Sequence, residues 1–317
     1  MNKNDLYPLC FNPILKKKVW GSELWLLSDR KEDNTIICSG NFSNNRLQIP
    51  IRHLNKYLLG DSFDKSTKRF PLVIKILTIN DLLSVQVHPD DLFSKKKQLD
   101  DPGKNEFWYI WKNKPAASLF CGFSKKISRK TLLDALNKKT LPDILQKYKT
   151  STGEGYFVKA GVVHAPGKGN TIIEIQQNSD ITYRLFDWDR GGLNNTERSL
   201  QLDKALECIL FNKNDQSVLI RPTTITTETI TSHLFQLKNF YSITELVIPT
   251  QYDYSTDHNT FEILICLEGH GNICYHHDKV VNSITPGSLL LLPAYLGAIS
   301  IRSESGIKFL SIKNKRN

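Results

Sequence analysis

"RFPLVIKILTINDLLSVQVHPDD", residues 69–91, holds two β-like runs joined by a turn, and the second run sets a chemical problem. In "SVQVHPDD" (84–91), Ser84, Gln86 and His88 share one parity and Val85 and Val87 the other. An extended strand would therefore carry a carboxamide and an imidazole on one face and two valines on the opposite face. Runs of this kind recur as "EFWYIWK" (106–112), "AASLFCGF" (116–123), "GYFVKAGVVHA" (155–165), "NTIIEIQQNS" (170–179) and "ITYRLFDWD" (181–189). Turn-formers separate most of them, which predicts a mainly β protein, a sandwich or barrel.

Two segments break the pattern. "RKTLLDALNKKTLPDILQKYK" (129–149) places Leu132, Leu133, Leu136, Leu141 and Leu145 at mostly helical spacings, with Pro142 able to open a second short helix. "SLQLDKALECILF" (199–211) has similar spacing. Both are expected as small helical insertions on an antiparallel scaffold. From residue 261 onward the chain reads as hairpins joined by Gly- and Pro-containing turns. The expected organisation is a first domain over 1–235, with the helical insertion near 129–149, and a second over 236–317.

The chain has 317 residues, 40% hydrophobic and 23% charged, an ordinary globular composition with room for a sizeable core. Its formal charge of +10 would attract anionic partners. The lysines are scattered, with short runs at 16–18 and 95–97, and there is neither a clustered basic helix nor an aromatic single-strand platform. No nucleic-acid partner is expected. Six cysteines form no CxxC pair and the N-terminus lacks an apolar signal core, which predicts a cytoplasmic protein with free thiols. The longest apolar stretch, 288–299, is interrupted by Pro293 and falls short of the ~20 residues of a spanning helix, so no membrane role is expected. Nothing in the sequence signals the oligomeric state.

Polar residues within the apolar strands carry the functional reading. His88 is followed by Glu106 at the head of "EFWYIWK", and His164 stands at a strand end in "AGVVHAPG". A single histidine of this kind is usually a hydrogen-bonded core residue. Two neutral imidazoles and a carboxylate on different strands of one barrel suit Zn²⁺, and Gln86 could add a carbonyl oxygen from the face of His88. The spacing is not specific, because no HExxH-type signature is present.

Four blocks carry a family resemblance: the opening stretch of 69–91, "GKNEFWYI" (103–110), "GVVHAPGKGNTIIEIQQNSDITYRLFDWDR" (161–190) and "KKKVWGSELW" (16–25). Together they resemble the class I (type I) mannose-6-phosphate isomerases in their short bacterial form, over most of residues 14–210. The resemblance implies a cupin jelly roll (double-stranded β-helix) that holds one zinc ion per chain and interconverts mannose 6-phosphate and fructose 6-phosphate. By motif it puts His88, Glu106 and His164 on the family's zinc positions, Gln86 on a fourth ligand of longer relatives, and Arg184 on an active-site arginine. Glu174, flanked by Ile173 and Ile175, falls on a glutamate proposed as catalytic in longer relatives, although pattern alone would make it a solvent-facing residue. The resemblance also draws Lys104 into the site, where a lysine in "DPGKNE" would otherwise be a solvated loop residue.

The chemistry accounts for these types. Aldose–ketose isomerisation moves a proton between neighbouring carbons through an enediolate, whose charge a zinc Lewis acid and a permanently protonated guanidinium would stabilise. A carboxylate within hydrogen-bond reach would serve as general base. Trp20 and Trp108 are expected mainly as core.

Departures are visible. Relatives commonly carry Trp-Gly-Gly and then a Gly-Glu-Ser-Trp-like element, whereas "WGSELW" is compressed, with Ser22 in the second glycine position. Lys159 and Val162 stand where relatives often have a proline and a threonine. The cupin-like "ITPGSLLLLPA" (284–294) marks a C-terminal barrel without a two-histidine-plus-carboxylate set. There His270, in a "GHG" turn, and the adjacent His276 and His277 read as surface residues. Two other classes fit the donor set: a non-haem Fe(II) oxygenase of cupin type, separable by metal analysis and oxygen uptake, and a catalytically impaired sugar-phosphate-binding protein, separable by binding without turnover.

Overall fold

The computed structural model describes residues 6–63, 69–188, 190, 199–212, 218–237, 240–276 and 279–314. Along the chain run β1 (Phe11–Asn12), β2 (Ile14–Lys18), β3 (Gly21–Leu27), β4 (Ile36–Ile37), α1 (Gln48–Leu59), β5 (Leu72–Ile79), β6 (Val85–Val87) and α2 (Asp91–Lys96). Next come β7 (Glu106–Asn113), β8 (Ser118–Phe123), α3 (Arg129–Asn137), α4 (Leu141–Ile144), β9 (Leu145–Lys149), β10 (Gly155–Val158), β11 (His164–Ala165), β12 (Asn170–Gln177), β13 (Tyr183–Phe186) and α5 (Leu202–Cys208). The remainder is β14 (Leu219–Ile220), β15 (Thr223–Thr226), β16 (Thr231–Phe235), β17 (Ser242–Ile248), β18 (Gln251–Ser255) and β19 (Glu262–Gly269). It closes with β20 (Gly271–Tyr275), β21 (Lys279–Ile284), β22 (Leu289–Leu292), β23 (Ala298–Arg302) and β24 (Ile307–Lys313).

These elements form two compact units, and the chain passes between them near residues 14, 25, 70 and 220. Sequence reading suggested one break, near residue 235. One unit comprises 15–25 and 71–220; the other comprises 1–14, 26–70 and 221–317.

In the first unit, an antiparallel sheet of order β14-β10-β7-β12-β5-β3-β2 stands with a five-stranded sheet of order β13-β6-β11-β8-β9. Leu77, Ile79, Trp108, Ile110, Tyr156 and Ile172 of the larger sheet pack with Leu119 and Cys121 of the smaller one, which makes the pair a jelly roll with side chains filling its interior. Val85 and Val87 point the other way, into a separate cluster with Leu132, Leu141, Ala205 and Leu206 from α3, α4 and α5. The helical insertions thus cover the outer face of the smaller sheet, and the parity of β6 turns Ser84, Gln86 and His88 inward.

The helices follow local rules. Ser128 caps α3, its hydroxyl accepting from Thr131 N at 3.1 Å, and Pro142 occupies the first turn of α4. Leu145, read above as a helical position, instead opens β9 and pairs with Phe123. Pairing along an existing strand satisfies the backbone of this short segment better than one more turn, and Leu145 is buried either way. The sequence reading also passed over α1 and α2. α1 follows no capping side chain and contains a kink at Leu54, so it lacks the usual start signal. α2 is a six-residue helix capped by Asp90, too short to show a period.

The second unit holds a six-stranded sheet, β15-β16-β17-β24-β19-β22, a four-stranded sheet, β18-β23-β20-β21, and the two-stranded β1-β4. β1 pairs Phe11 with Ile37, which brings Cys10 and Cys38 to a Cα separation of 5.7 Å and joins them in a disulfide. This corrects the expectation of free thiols for these two; Cys121, Cys208, Cys266 and Cys274 are free. Twenty-eight residues separate the bonded pair, so no local motif announces it. Among the described residues no helix is long and apolar enough to cross a membrane.

Candidate metal centre

β6, β7 and β11 deliver His88, Glu106 and His164 to one point inside the jelly roll of the first unit, with one ligand atom from each within 4.8 Å of the others. Among the described residues this is the one such group of His, Cys, Asp and Glu. All three are buried.

Backbone contacts bring them there. His164 is the register partner of Gln86 on one side and of Cys121 on the other. The "HPDD" turn after β6 is tied down in several places. Asp90 caps α2 by accepting from Phe93 N (2.7 Å), Asp91 Oδ1 accepts from Gly103 N (2.9 Å), and Lys104 N donates to Pro89 O (2.9 Å). Those bonds lay the "GKNE" loop against the turn and place Lys104 and Glu106 beside His88. Gly161 N donates to His88 O (2.8 Å), and Gly161 has φ +86° with a hypothetical Cβ 2.8 Å from Cys208 O, so only glycine fits.

Each imidazole is oriented by its far nitrogen. His88 Nδ1 donates to Ile181 O at 2.8 Å and His164 Nδ1 to Val162 O at 2.9 Å; a carbonyl can only accept, so both Nε2 atoms carry lone pairs inward. The unusual Val162 leaves this contact intact, because the contact uses the backbone. His88 Nε2 lies 3.3 Å from Glu106 Oε1, and His164 Nε2 3.8 Å from Glu106 Oε2. Among the described residues neither His88 Nε2 nor Glu106 Oε1 has a hydrogen-bond partner, although the Lys104 ammonium stands 2.9 Å from Oε1 as an ion pair. Buried polar atoms rarely stay unmatched. Two imidazole lone pairs and a carboxylate facing one point fit a divalent cation.

Burial, and then the Lys104 charge, push the His88 pKa down to about 3, and burial lowers that of His164. Burial alone would raise Glu106, but Lys104 and His88 outweigh it and hold the carboxyl well below its ordinary range. The site is thus prepared as neutral imidazoles and an ionised carboxylate, the forms that bind metal. Burial and the Glu106 charge push the Cys121 thiol up, so it is no thiolate donor.

Gln86, Arg184 and His164 form a row across β13, β6 and β11, since Gln86 is the register partner of both. Gln86 Nε2 lies 3.3 Å from His164 Nε2. On the facing sheet, Glu106 pairs in register with Gln176, and Glu174 with Lys75 on one side and Trp108 on the other. Glu174 is buried and turns into the interior while Ile173 and Ile175 point away, contrary to the pattern-based expectation of a solvent-facing residue. Lys104 is likewise buried rather than solvated. Burial, and then the Glu106 charge, raise the Glu174 pKa even with Lys75 beside it. Trp108 is core and also donates from Nε1 to Glu106 Oε2 (3.1 Å). Trp20 is core on one side and cavity wall on the other.

A cavity of about 510 Å³ is lined by Gln86, Lys104, Glu174 and Arg184 and continues to Lys75, Glu23 and Lys16–Lys18. Sequence reading missed Lys75, Glu23 and Gln176. Lys75 was visible as the one charge inside the apolar "LVIKILTI", and only pairing with β12 gives it a partner.

In the second unit Glu262 opens β19 much as Glu106 opens β7, and its register partner on β24 is Lys313. Its carboxylate is taken by Ser311 Oγ (2.6 Å), Tyr254 Oη (2.9 Å) and the Lys313 ammonium (3.1 Å). His270 is exposed, while His276 is half-buried with Nε2 at 2.9 Å from Leu6 O, a correction to its reading as a surface residue. His277 lies outside the described residues.

A double-sheet jelly roll whose interior presents two imidazoles and a carboxylate is a cupin with a metal-capable centre. The catalytic-domain model of type I phosphomannose isomerase matches residues 9–149. The mannose-6-phosphate isomerase ManA of Bacillus subtilis is 33% identical over 221 residues, 64% of this chain and 68% of that protein. The chain belongs to the type I phosphomannose isomerase family. A mannose-6-phosphate isomerase of Streptococcus mutans is 29% identical over 226 residues, 65% of this chain and 69% of its own. The crystal structure of the mannose 6-phosphate isomerase from Bacillus subtilis superposes with a TM-score of 0.86 at 27% identity, covering 97% of this chain and 99% of that one.

Proposed function

We propose that this chain is a zinc-dependent aldose–ketose isomerase that interconverts mannose 6-phosphate and fructose 6-phosphate through an enediolate. The observation that carries the reading is the convergence of two inward Nε2 lone pairs and the Glu106 carboxylate next to Lys104 and Gln86, which line a cavity together with Glu174 and Arg184. His88, Glu106 and His164 would hold the ion, with the Gln86 carbonyl as a fourth donor. When bound, zinc supplies Lewis-acid polarisation of the sugar oxygens.

The remaining work falls to the chain. Glu174 takes the proton from the carbon next to the carbonyl and returns it to the neighbouring carbon. Its raised proton affinity suits a base that takes up a proton and then hands it back. Arg184, in the row with Gln86 and His164, stabilises the negative charge that grows on oxygen. Lys104 holds Glu106 ionised and adds a donor to the sugar hydroxyls. Enclosure between the two sheets keeps water from the enediolate.

The test is metal analysis of the purified protein together with a coupled assay on mannose 6-phosphate. Stoichiometric zinc and turnover in both directions are expected. Iron with oxygen uptake, or tight sugar-phosphate binding without turnover, would overturn the reading.

A further inference from the structure

We propose that Lys16 and Lys18, on the edge strand β2, bind the phosphate of the substrate, which lies across the strands with its carbonyl end at His88, Glu106 and His164. The assignment of the anion to a sugar phosphate rests on the isomerase reading above; the anion site itself does not.

Sheet order places β12, β5 and β3 between β7 and β2. Each strand contributes polar side chains to one track: Glu106 from β7, Glu174 from β12, Lys75 from β5, Glu23 from β3, then Lys16 and Lys18. All but Glu106 line the cavity described above, and Glu106 is reached through Lys104. Strand alternation puts Lys16 and Lys18 on one face of β2. Lys16 Nζ stands 4.0 Å from the centroid of Trp25, and Lys18 Nζ lies 3.8 Å from Glu23 Oε2, which directs both ammoniums to the cavity rim.

The charge is uneven along the track. Six cationic residues line the cavity against three carboxylates, Glu23, Glu174 and Asp180. At the inner end Lys75 is engaged by Glu174 (3.2 Å) and Gln176 (2.7 Å), and Lys104 by Glu106 (2.9 Å). At the β2 end Lys16, Lys17 and Lys18 border the cavity together with one lining carboxylate, Glu23, which Lys18 approaches at 3.8 Å. The positive excess therefore lies at the rim, where a phosphate of nearly −2 charge would be drawn. Arg184, the competing cation, is aligned with Gln86 and His164 at the carbonyl end.

The dimensions agree. Four strand spacings separate β7 from β2, roughly 19 Å along the curved sheet. With single bonds of ~1.5 Å an extended hexose phosphate spans roughly 9 Å and a lysine side chain roughly 6 Å. Adding a metal–oxygen bond of ~2 Å brings the span to roughly 17 Å.

The experiment uses the metal-loaded full chain and the variant Lys16→Gln/Lys18→Gln. KM for mannose 6-phosphate should rise about tenfold or more with kcat changed less than about threefold, the signature of lost uniform binding. Affinity for inorganic phosphate by calorimetry should fall by about the same factor, equal to about one lost charge-assisted contact. Lys16→Arg/Lys18→Arg should restore both, and zinc content and melting temperature should match the parent. An unchanged KM and phosphate affinity in an active, folded variant would overturn the assignment and leave the isomerase reading standing. A parent that binds phosphate through these lysines but isomerises nothing would do the reverse.

Discussion

Lys75 and Glu174 face each other as register partners on β5 and β12, Nζ to Oε1 3.2 Å, both shut off from solvent. A buried charge tolerates the loss of its partner poorly. Lys75→Met should therefore lower stability by about 3–5 kcal/mol, measured by chemical denaturation. It should also move the acid limb of the kcat/KM pH profile to higher pH, because Glu174 would keep its burial and the Glu106 charge while losing its cation. A destabilised variant with an unshifted profile would remove Glu174 from the role of base.

His164→Ala takes away one inward Nε2 and leaves a buried gap beside Glu106. Both bound zinc, counted by elemental analysis, and isomerase turnover should disappear. Full activity in a metal-free variant would end the metal-centre reading.

Arg184 is not one of the three grouped donors, so Arg184→Ala should keep the zinc. Turnover should fall by on the order of 10²-fold, the usual loss for one oxyanion-stabilising donor. Undiminished kcat would exclude Arg184 from charge stabilisation.

The metal-free protein should lose stability in acid over a defined window. His88 has its native pKa lowered to about 3, so between that value and the ordinary ~6.5 the unfolded chain binds the extra proton and stability rises with pH. This group contributes a slope of at most about 1.4 kcal/mol per pH unit. Glu106, also depressed, adds stability that is present above the ordinary carboxylate value and is lost as pH falls through its native one. In urea titrations from pH 7 to 4, His88→Asn should flatten the pH dependence; an equal slope in both proteins would contradict the buried neutral imidazole.

The strands that carry the candidate site were legible because their period of two separates valine from polar residue in "SVQVHPDD" and isoleucine from glutamate in "NTIIEIQQ". Their direction was not. Glu174 looks solvent-facing until Ile173 and Ile175 are also found buried, since both faces of β12 are covered. Lys104 looked like a loop lysine, and only the bond of its backbone to Pro89 O turns it inward. α1 announced itself with no cap, and Leu145 joined a strand because a neighbouring edge was open to it.

The sequence by itself determined the β character, the helical insertions and the family, and pointed to the imidazoles and the carboxylate as candidate donors, because these rest on local periodicity and on short motifs. Only the tertiary structure decided which polar side chains meet: Lys75 with Glu174, Gln86 between His164 and Arg184, and Cys10 with Cys38. These pairs are 99, 78, 98 and 28 residues apart. Strand register is a global property, set by how whole faces are buried, so no local window of sequence contains it.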